Sequence, residues 1–207
     1  MQDISVNNNN KFKIVVAGKE HLIYAKVVCQ LIEEAAKLRG TGIAKRKPEY
    51  IRQKMKDGKA VIALTSDNAV AGFCYIESWG VNKNFVANSG LIVAPDYRGL
   101  GLAKKIKEEI FLLSRKKFPK AKMFGITTSP AVMRINYTLG YRPVSFDHLT
   151  DDDEFWKGCQ SCKNYDILQR TSRKHCLCTA MLYDPDELVQ IKTQENLEYE
   201  KESTFSI

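Results

Sequence analysis

Residues 89–110 read SGLIVAPDYRGLGLAKKIKEEI, and this stretch decides the fold. Leu91, Ile92 and Val93 form the short apolar run of a buried strand. Pro95, which cannot donate to a ladder, ends it. Arg98-Gly99-Leu100-Gly101-Leu102-Ala103 follows, then apolar residues at Ala103, Ile106, Ile110 and Leu113, which share one helical face. A strand therefore feeds a glycine turn that opens a helix. Backbone N–H groups converge in such a turn, and the helix dipole there also favours an anion. Glycine suits it because a Cβ would hold a bulky phosphate off the backbone.

A nucleotide-binding P-loop would end in Gly-Lys-Ser/Thr, whereas this turn ends in Gly101-Leu102-Ala103. A dinucleotide fingerprint needs a third glycine, but Lys104 follows, and no acidic residue closes a second strand ~20 residues on. Beside a plain strand–turn–helix with a glycine cap, one pattern remains: Val-x-Pro followed by Arg/Gln-x-x-Gly-x-Gly/Ala. Val93, Pro95, Arg98, Gly101 and Ala103 carry it. It resembles the pyrophosphate turn of the GNAT acyl-CoA N-acyltransferases. The resemblance implies a coenzyme lying along Leu91, Ile92 and Val93 and held by Arg98, Gly99, Leu100, Gly101, Leu102 and Ala103. Acetyl-CoA or another short acyl-CoA would then be the co-substrate.

Working outward, 207 residues make one domain with an appendage at most, large enough for a real core. Apolar content of 44% and charge of 27% are those of a soluble globular protein. The start of the chain has no apolar signal segment, and no apolar run approaches the ~18–20 residues of a membrane span. A cytoplasmic protein without membrane partners is expected, in which six cysteines indicate thiols or a metal rather than disulfides. The net charge is +8, but seven acids and two lysines from Asp184 onward leave about +13 on the rest. Coenzyme phosphates account for such a basic body. Nucleic acid is not expected as a partner, since no recognition motif accompanies the charge.

The element order predicts a GNAT acyltransferase fold of the α/β class, a mixed central sheet flanked by helices, over residues 12–146. Before it lies a polar leader (1–11); after it come a Cys-rich C-terminal extension (147–183) and an acidic tail (184–207). Expected strands are Phe12–Ala17, Ala60–Thr65, Val70–Trp79, Phe85–Val93, Met123–Thr128, Tyr141–Phe146 and Leu177–Tyr183. Expected helices are Glu20–Leu38, one opened by Pro48 and ended by Asp57-Gly58, Leu102–Lys117, and one from Pro130 to Leu139. Ser129 caps the last of these, Pro130 sits at N1 and Gly140 is its stop.

Asn136-Tyr137-Thr138-Leu139-Gly140-Tyr141 resembles the family's second signature, Tyr-x-x-x-Gly-Phe/Tyr, with one departure: asparagine stands where many members carry tyrosine. One step along a helix swings a side chain by ~100°, so Tyr137 does not simply inherit the role. The family's direct transfer from thioester to amine requires a base, a donor to the acyl oxygen and a proton source for the leaving thiolate. Strand 85–93 has no carboxylate, which leaves Glu77 as the candidate base, either partly desolvated or solvated at a strand end. Asn88 and Ser89 are candidates for ordering water beside the acceptor. Asn136 is a ligand candidate that can donate to sulfur but not transfer a proton. Tyr137 is the candidate acid, or else surface packing.

Cys159-x-x-Cys162 and Cys176-x-Cys178 are two close pairs, as a tetrahedral zinc requires; a redox pair or four unligated thiols are the alternatives. If 177–183 is a strand, Cys176 and Cys178 face one side. The resemblance implies a small-molecule amine as acceptor. Between the first two helices the chain reads RGTGIAKRK, where Arg39, Lys45 and Arg46 would clamp carboxylates, with guanidinium forks giving bidentate contact. RGTGIAKR, FWKGCQSCKNYD and CLCTAMLYDP are similar to a small GNAT branch linked to N-acylglutamate formation in arginine biosynthesis, which implies glutamate. A catalytically silent acyl-CoA sensor is the alternative to an enzyme, and a homodimer is compatible with the sequence.

Overall fold

The computed structural model describes residues 11–39 and 46–187. The expected leader up to residue 10, all but the start of the acidic tail, Lys45 and the side chain of Arg39 lie outside the described residues. In chain order the elements are β1 (Phe12–Val16), α1 (Ala25–Arg39), α2 (Pro48–Lys56), β2 (Ala60–Thr65), β3 (Val70–Trp79), β4 (Phe85–Val93), α3 (Leu102–Lys117), β5 (Lys122–Thr127), α4 (Pro130–Thr138), β6 (Arg142–Val144), α5 (Asp153–Lys157), α6 (Tyr165–Arg170) and β7 (Thr179–Tyr183). The strands form one seven-stranded sheet ordered β1-β2-β3-β4-β5-β7-β6. Among the described residues only β4 and β5 pair in parallel.

Alternation along the strands sends side chains to two faces. On one face Val28, Ile32 and Ala35 of α1 and Ile51 and Met55 of α2 pack on Ile62, Phe73 and Tyr75. On the other, Leu102, Ile106 and Ile110 of α3 cover Val61, Cys74, Ile76 and Val86. A third cluster joins Ala87 and Phe124 of the sheet to Phe146, Trp156 and Leu168 of the segment between β6 and β7.

The expected strand Tyr141–Phe146 is cut to Arg142–Val144, α6 was not expected, and two further departures stand out. The expected helix from Glu20 begins as a 3-10 turn, Lys19–Tyr24, in which His21 Nδ1 accepts the Gly18 N–H at 3.0 Å. The last strand begins at Thr179 rather than Leu177 and does not stand outside the core sheet: it lies between β5 and β6. The Cys-rich residues are therefore a long connection between the last two strands in sequence. Its Asp152 ties it to the body, accepting the Gly80 N–H at 2.9 Å through Oδ2 and capping α5 through Oδ1 to the Glu154 N–H at 2.9 Å.

Candidate active site

Two irregularities in β4 open the sheet. Ladder partners run Tyr75↔Ser89 but Phe73↔Ile92, so β4 carries a bulge through Gly90 and Leu91. Gly90 has φ +64°, and a Cβ there would lie 2.4 Å from the Tyr75 ring, so glycine is required. Beyond Ala87↔Phe124 there is no further β4–β5 pairing, and the two parallel strands part. A cavity of about 730 Å³ occupies the gap.

Directly opposed residues of an antiparallel pair share a face, and neighbours along a strand do not. Glu77 opposes Ala87, while Ile76 opposes Asn88. Glu77 and Asn88 thus point to opposite faces, and the gap joins them: Glu77, Ser89 and Trp79 line the cavity, as do Asn88, Lys107 and Asn136.

On the α2 face, the Glu77 side chain is 14% exposed and its Oε2 lies 2.5 Å from Lys54 Nζ. Burial pushes its carboxyl up to about 7, against the lowering pull of Arg46. Burial likewise brings the Lys54 ammonium down to about 8. The ion contact opposes both effects by favouring the charged pair, so about 7 is the upper end for Glu77. Arg46 Nε donates to the Tyr75 hydroxyl at 2.5 Å, and Arg46, Lys47 and Tyr50 line the same mouth. Glu77 is therefore a shielded carboxylate, not a solvated strand end.

On the α3 face, Ser114 Oγ donates to the Ile110 carbonyl at 2.7 Å and accepts from Asn88 Nδ2 at 2.8 Å. That fixes Asn88 with Oδ1 toward Lys107, whose Nζ donates to it at 3.0 Å. Asn88 is thus committed to the α3 face and cannot order water beside Glu77, as the sequence had suggested; Ser89 stands on the Glu77 side.

Asn136 is 2% exposed and its Nδ2 lies 3.8 Å from Met181 Sδ. Its Oδ1 is buried with no hydrogen-bond partner among the described residues, and Asn136 lines the cavity, so a ligand there could donate to it. Tyr137, one step on, is 58% exposed beneath the Arg142 guanidinium, 4.6 Å from its ring centre. Tyr137 therefore does not reach the cavity, and the acid role expected of it is not supported. Ser129 caps α4 as expected, accepting from the Val132 N–H at 3.4 Å.

The glycine turn lies beyond the outer end of β4. Arg98 Nε donates to the Val93 carbonyl at 3.2 Å, tying turn to strand. Gly99 and Gly101 have φ +78° and +73°, and a Cβ on either would meet nothing within 4 Å, so the backbone is bare and approachable. Gly101 is the N-cap of α3, with Leu102 buried and Leu100 half exposed. Ile92 and Val93 bury their side chains, leaving only backbone to offer; Leu91 lines the cavity and Ala103 packs beside α3's core face. An exposed, anion-compatible turn at the end of the strand whose Leu91 lines the cavity fits coenzyme A.

Cys159, Cys162, Cys176 and Cys178 line the cavity's far wall with Phe155, Tyr165 and Leu168. Among the described residues no group of three or more His, Cys, Asp or Glu can hold a metal ion, so the expected zinc is not supported. Cys176 and Cys178 lie ahead of β7, which begins at Thr179, and not on the strand that the sequence had suggested for Cys178. Burial and neighbouring thiols raise Cys159 to about 11 and Cys178 to about 12, so both stay protonated at neutral pH. Sequence reading missed Trp79 and Lys107 as cavity residues, and Lys54 as the partner of Glu77. For Lys107 a signal existed: with Ala103, Ile106 and Ile110 it occupies the apolar face of α3.

Residues 29–116 match the acetyltransferase (GNAT) family. No curated protein matches the chain. Among solved structures, N-acetylglutamate synthase from Neisseria gonorrhoeae, complexed with coenzyme A and N-acetyl-glutamate, is similar at 14% identity and TM-score 0.58. The match covers 84% of this chain and 35% of that one, so the chain spans about a third of the synthase's length. Rv2747 from Mycobacterium tuberculosis, in complex with CoA and NLQ, is similar at 13% identity and TM-score 0.58, over 83% of this chain and 98% of that one. The putative acetyltransferase yncA from Salmonella typhimurium, with its cofactor acetyl-CoA, is similar at 13% identity and TM-score 0.57, over 84% and 94%. Such identities establish the fold. Turn and parted strands agree with that match: residues 29–116 are similar to the acetyltransferase (GNAT) family, and the fold is shared with the solved acetyltransferases.

Proposed function

We propose that this acetyltransferase moves an acyl group, acetyl foremost, from coenzyme A to the α-amine of a small acidic amino acid such as glutamate. The observation that carries the acceptor assignment is the pairing of a shielded carboxylate, Glu77, with Arg46 and Lys47 at one cavity mouth. The cations attract carboxylates of the acceptor while Glu77 takes a proton from its amine. The far end of β4 and the bare glycines leave the opposite approach to the coenzyme: the α3 amides and Arg98 meet its phosphates, and Asn136 Oδ1 accepts a hydrogen bond from its arm. The thioester supplies an activated acyl carbon, and Ser89 stands where it can hold water or the acceptor. An N-acetylglutamate synthase among the fold relatives agrees in kind with this acceptor, though at 14% identity the likeness extends to the fold alone.

The test is thiol release from acetyl-CoA with a panel of acidic, neutral and cationic amines. Acidic amino acids should react fastest. Arg46→Gln should raise the acceptor KM about tenfold, ~1.4 kcal/mol, with the KM for acetyl-CoA unchanged. Faster acylation of neutral or cationic amines would overturn the acceptor. Tight acetyl-CoA binding without thiol release from any amine would make the protein a sensor instead.

A further inference from the structure

Lys107 is 4% exposed, yet its ammonium has no carboxylate partner among the described residues. Each element packed against it offers something else. From β4 comes the Asn88 amide oxygen at 3.0 Å; from the residue before β6, the Tyr141 ring, 5.2 Å from Nζ; from β3, the thiol of Cys74, which donates to the Ser89 carbonyl. Tyr141 and Cys74 are both held protonated by burial, so neither supplies negative charge at neutral pH. A buried cation opposite neutral groups is costly unless an anion arrives. Lys107 also lines the cavity where β4 and β5 part.

The place matches where sulfur must come. From Val93, beside the glycine turn, to Asn88 is five strand residues, ~16 Å at about 3.3 Å each. That is the length of an extended pantetheine arm, so phosphates at the turn put the thioester sulfur level with Asn88 and Lys107. Asn136, in the tyrosine's position, has no proton to give.

We propose that Lys107 is the general acid of the transfer, donating its Nζ proton to the departing coenzyme A sulfur. This rests on the acyltransferase reading above. The acceptor, having lost one proton to solvent, attacks the acyl carbon through its nitrogen lone pair. The C–N bond forms, the C–S bond breaks and its electron pair goes to sulfur. Glu77 receives the proton that the new amide nitrogen sheds, and Lys107 protonates sulfur to give free thiol. Glu77 then releases its proton to solvent and Lys107 takes one up, so one proton is released overall. Burial has brought the Lys107 ammonium down to about 8, which makes it a better acid than an ordinary lysine.

Three full-length proteins test this: wild type, Lys107→Met and Lys107→Arg. Loss of a general acid should lower kcat about 10²-fold in both variants with the KM for acetyl-CoA little changed. Wild-type kcat should fall above about pH 8, and that limb should be absent in Lys107→Met. Lys107→Met should also raise Tm, the reverse of what a merely structural lysine predicts. Full activity in Lys107→Arg, which keeps charge but holds its proton, would overturn the proposal, as would an unchanged alkaline limb in Lys107→Met. A readout free of turnover separates this from failure of the acceptor assignment: the 15N signal of Lys107 Nζ should differ between the coenzyme A and desulfo-coenzyme A complexes. The same signal in both, or no coenzyme binding, places the sulfur elsewhere and overturns it.

Discussion

Glu77 and Lys107 are two titratable groups of opposite kind whose burial drives their proton affinities toward each other, to about 7 and about 8. In the transfer proposed above, Glu77 is the base and Lys107 the acid, each brought near neutral pH where it can exchange a proton. The sign follows from the roles. Glu77 must be ionised to act, so activity rises with pH through its pKa, at or below about 7. Because folding raises that pKa above the ordinary 4.5, ionising Glu77 costs the folded state stability as pH climbs between the two values, and Lys54 in contact offsets the cost. Glu77→Gln should lower kcat by about 10²-fold and remove the acidic limb, leaving the alkaline one; pH–rate profiles of kcat check this. Glu77 was legible in the sequence because no carboxylate competes with it in β4. Lys54, which holds it, was not, since the two come together through packing of α2 on β3 across 23 residues of sequence.

At the scale of elements, the strand–turn–helix from β4 to α3 came out with the bounds expected, Phe85–Val93 and Leu102–Lys117. Periodicity, Pro95 and two glycines are local signals and needed no tertiary help. The same locality makes the turn testable. Gly101 sits at φ +73° with open space above it, so Gly101→Val strains the backbone by about 1–2 kcal/mol and fills the approach. Isothermal titration should show coenzyme A affinity lost, while Tm falls by only a few degrees. Unchanged affinity would mean the turn has been misread. The bulge at Gly90 was not legible, because only the Tyr75 ring pressed against it makes glycine obligatory, and that ring lies across the ladder.

For the molecule as a whole, the residues from Phe146 to Cys178 are part of the fold's third core rather than an annex to it. Phe155 contacts both Trp79 and Phe124, at 5.2 and 4.9 Å between ring centres, and Trp156 Nε1 donates to the Thr150 carbonyl at 2.8 Å. A segment sharing aromatic packing with β3 and β5, and flanked by two paired strands, should unfold with them. The chain has two tryptophans, so Trp79→Phe leaves Trp156 as the sole reporter inside the segment. In denaturant its fluorescence transition should coincide with loss of far-ultraviolet circular dichroism. An earlier fluorescence midpoint would show the segment melting independently. No helix among the described residues is long and apolar enough to cross a membrane.

The sequence by itself determined the α/β order, the glycine turn and the candidate base, because hydrophobic period, proline stops and glycine spacing act within one or two elements. It read the second signature as a substitution of tyrosine by Asn136, and the structure places that side chain inside and Tyr137 outside, as one helical step requires. Only the tertiary structure decided that β7 enters the sheet between β5 and β6, that the four cysteines line a cavity wall without forming a metal group, and that Lys107 meets Asn88 at the parting of β4 and β5. Each is a contact between distant parts of the chain. Loop closure, sheet register and burial set such contacts, and none of these leaves a periodic trace in the residues it joins.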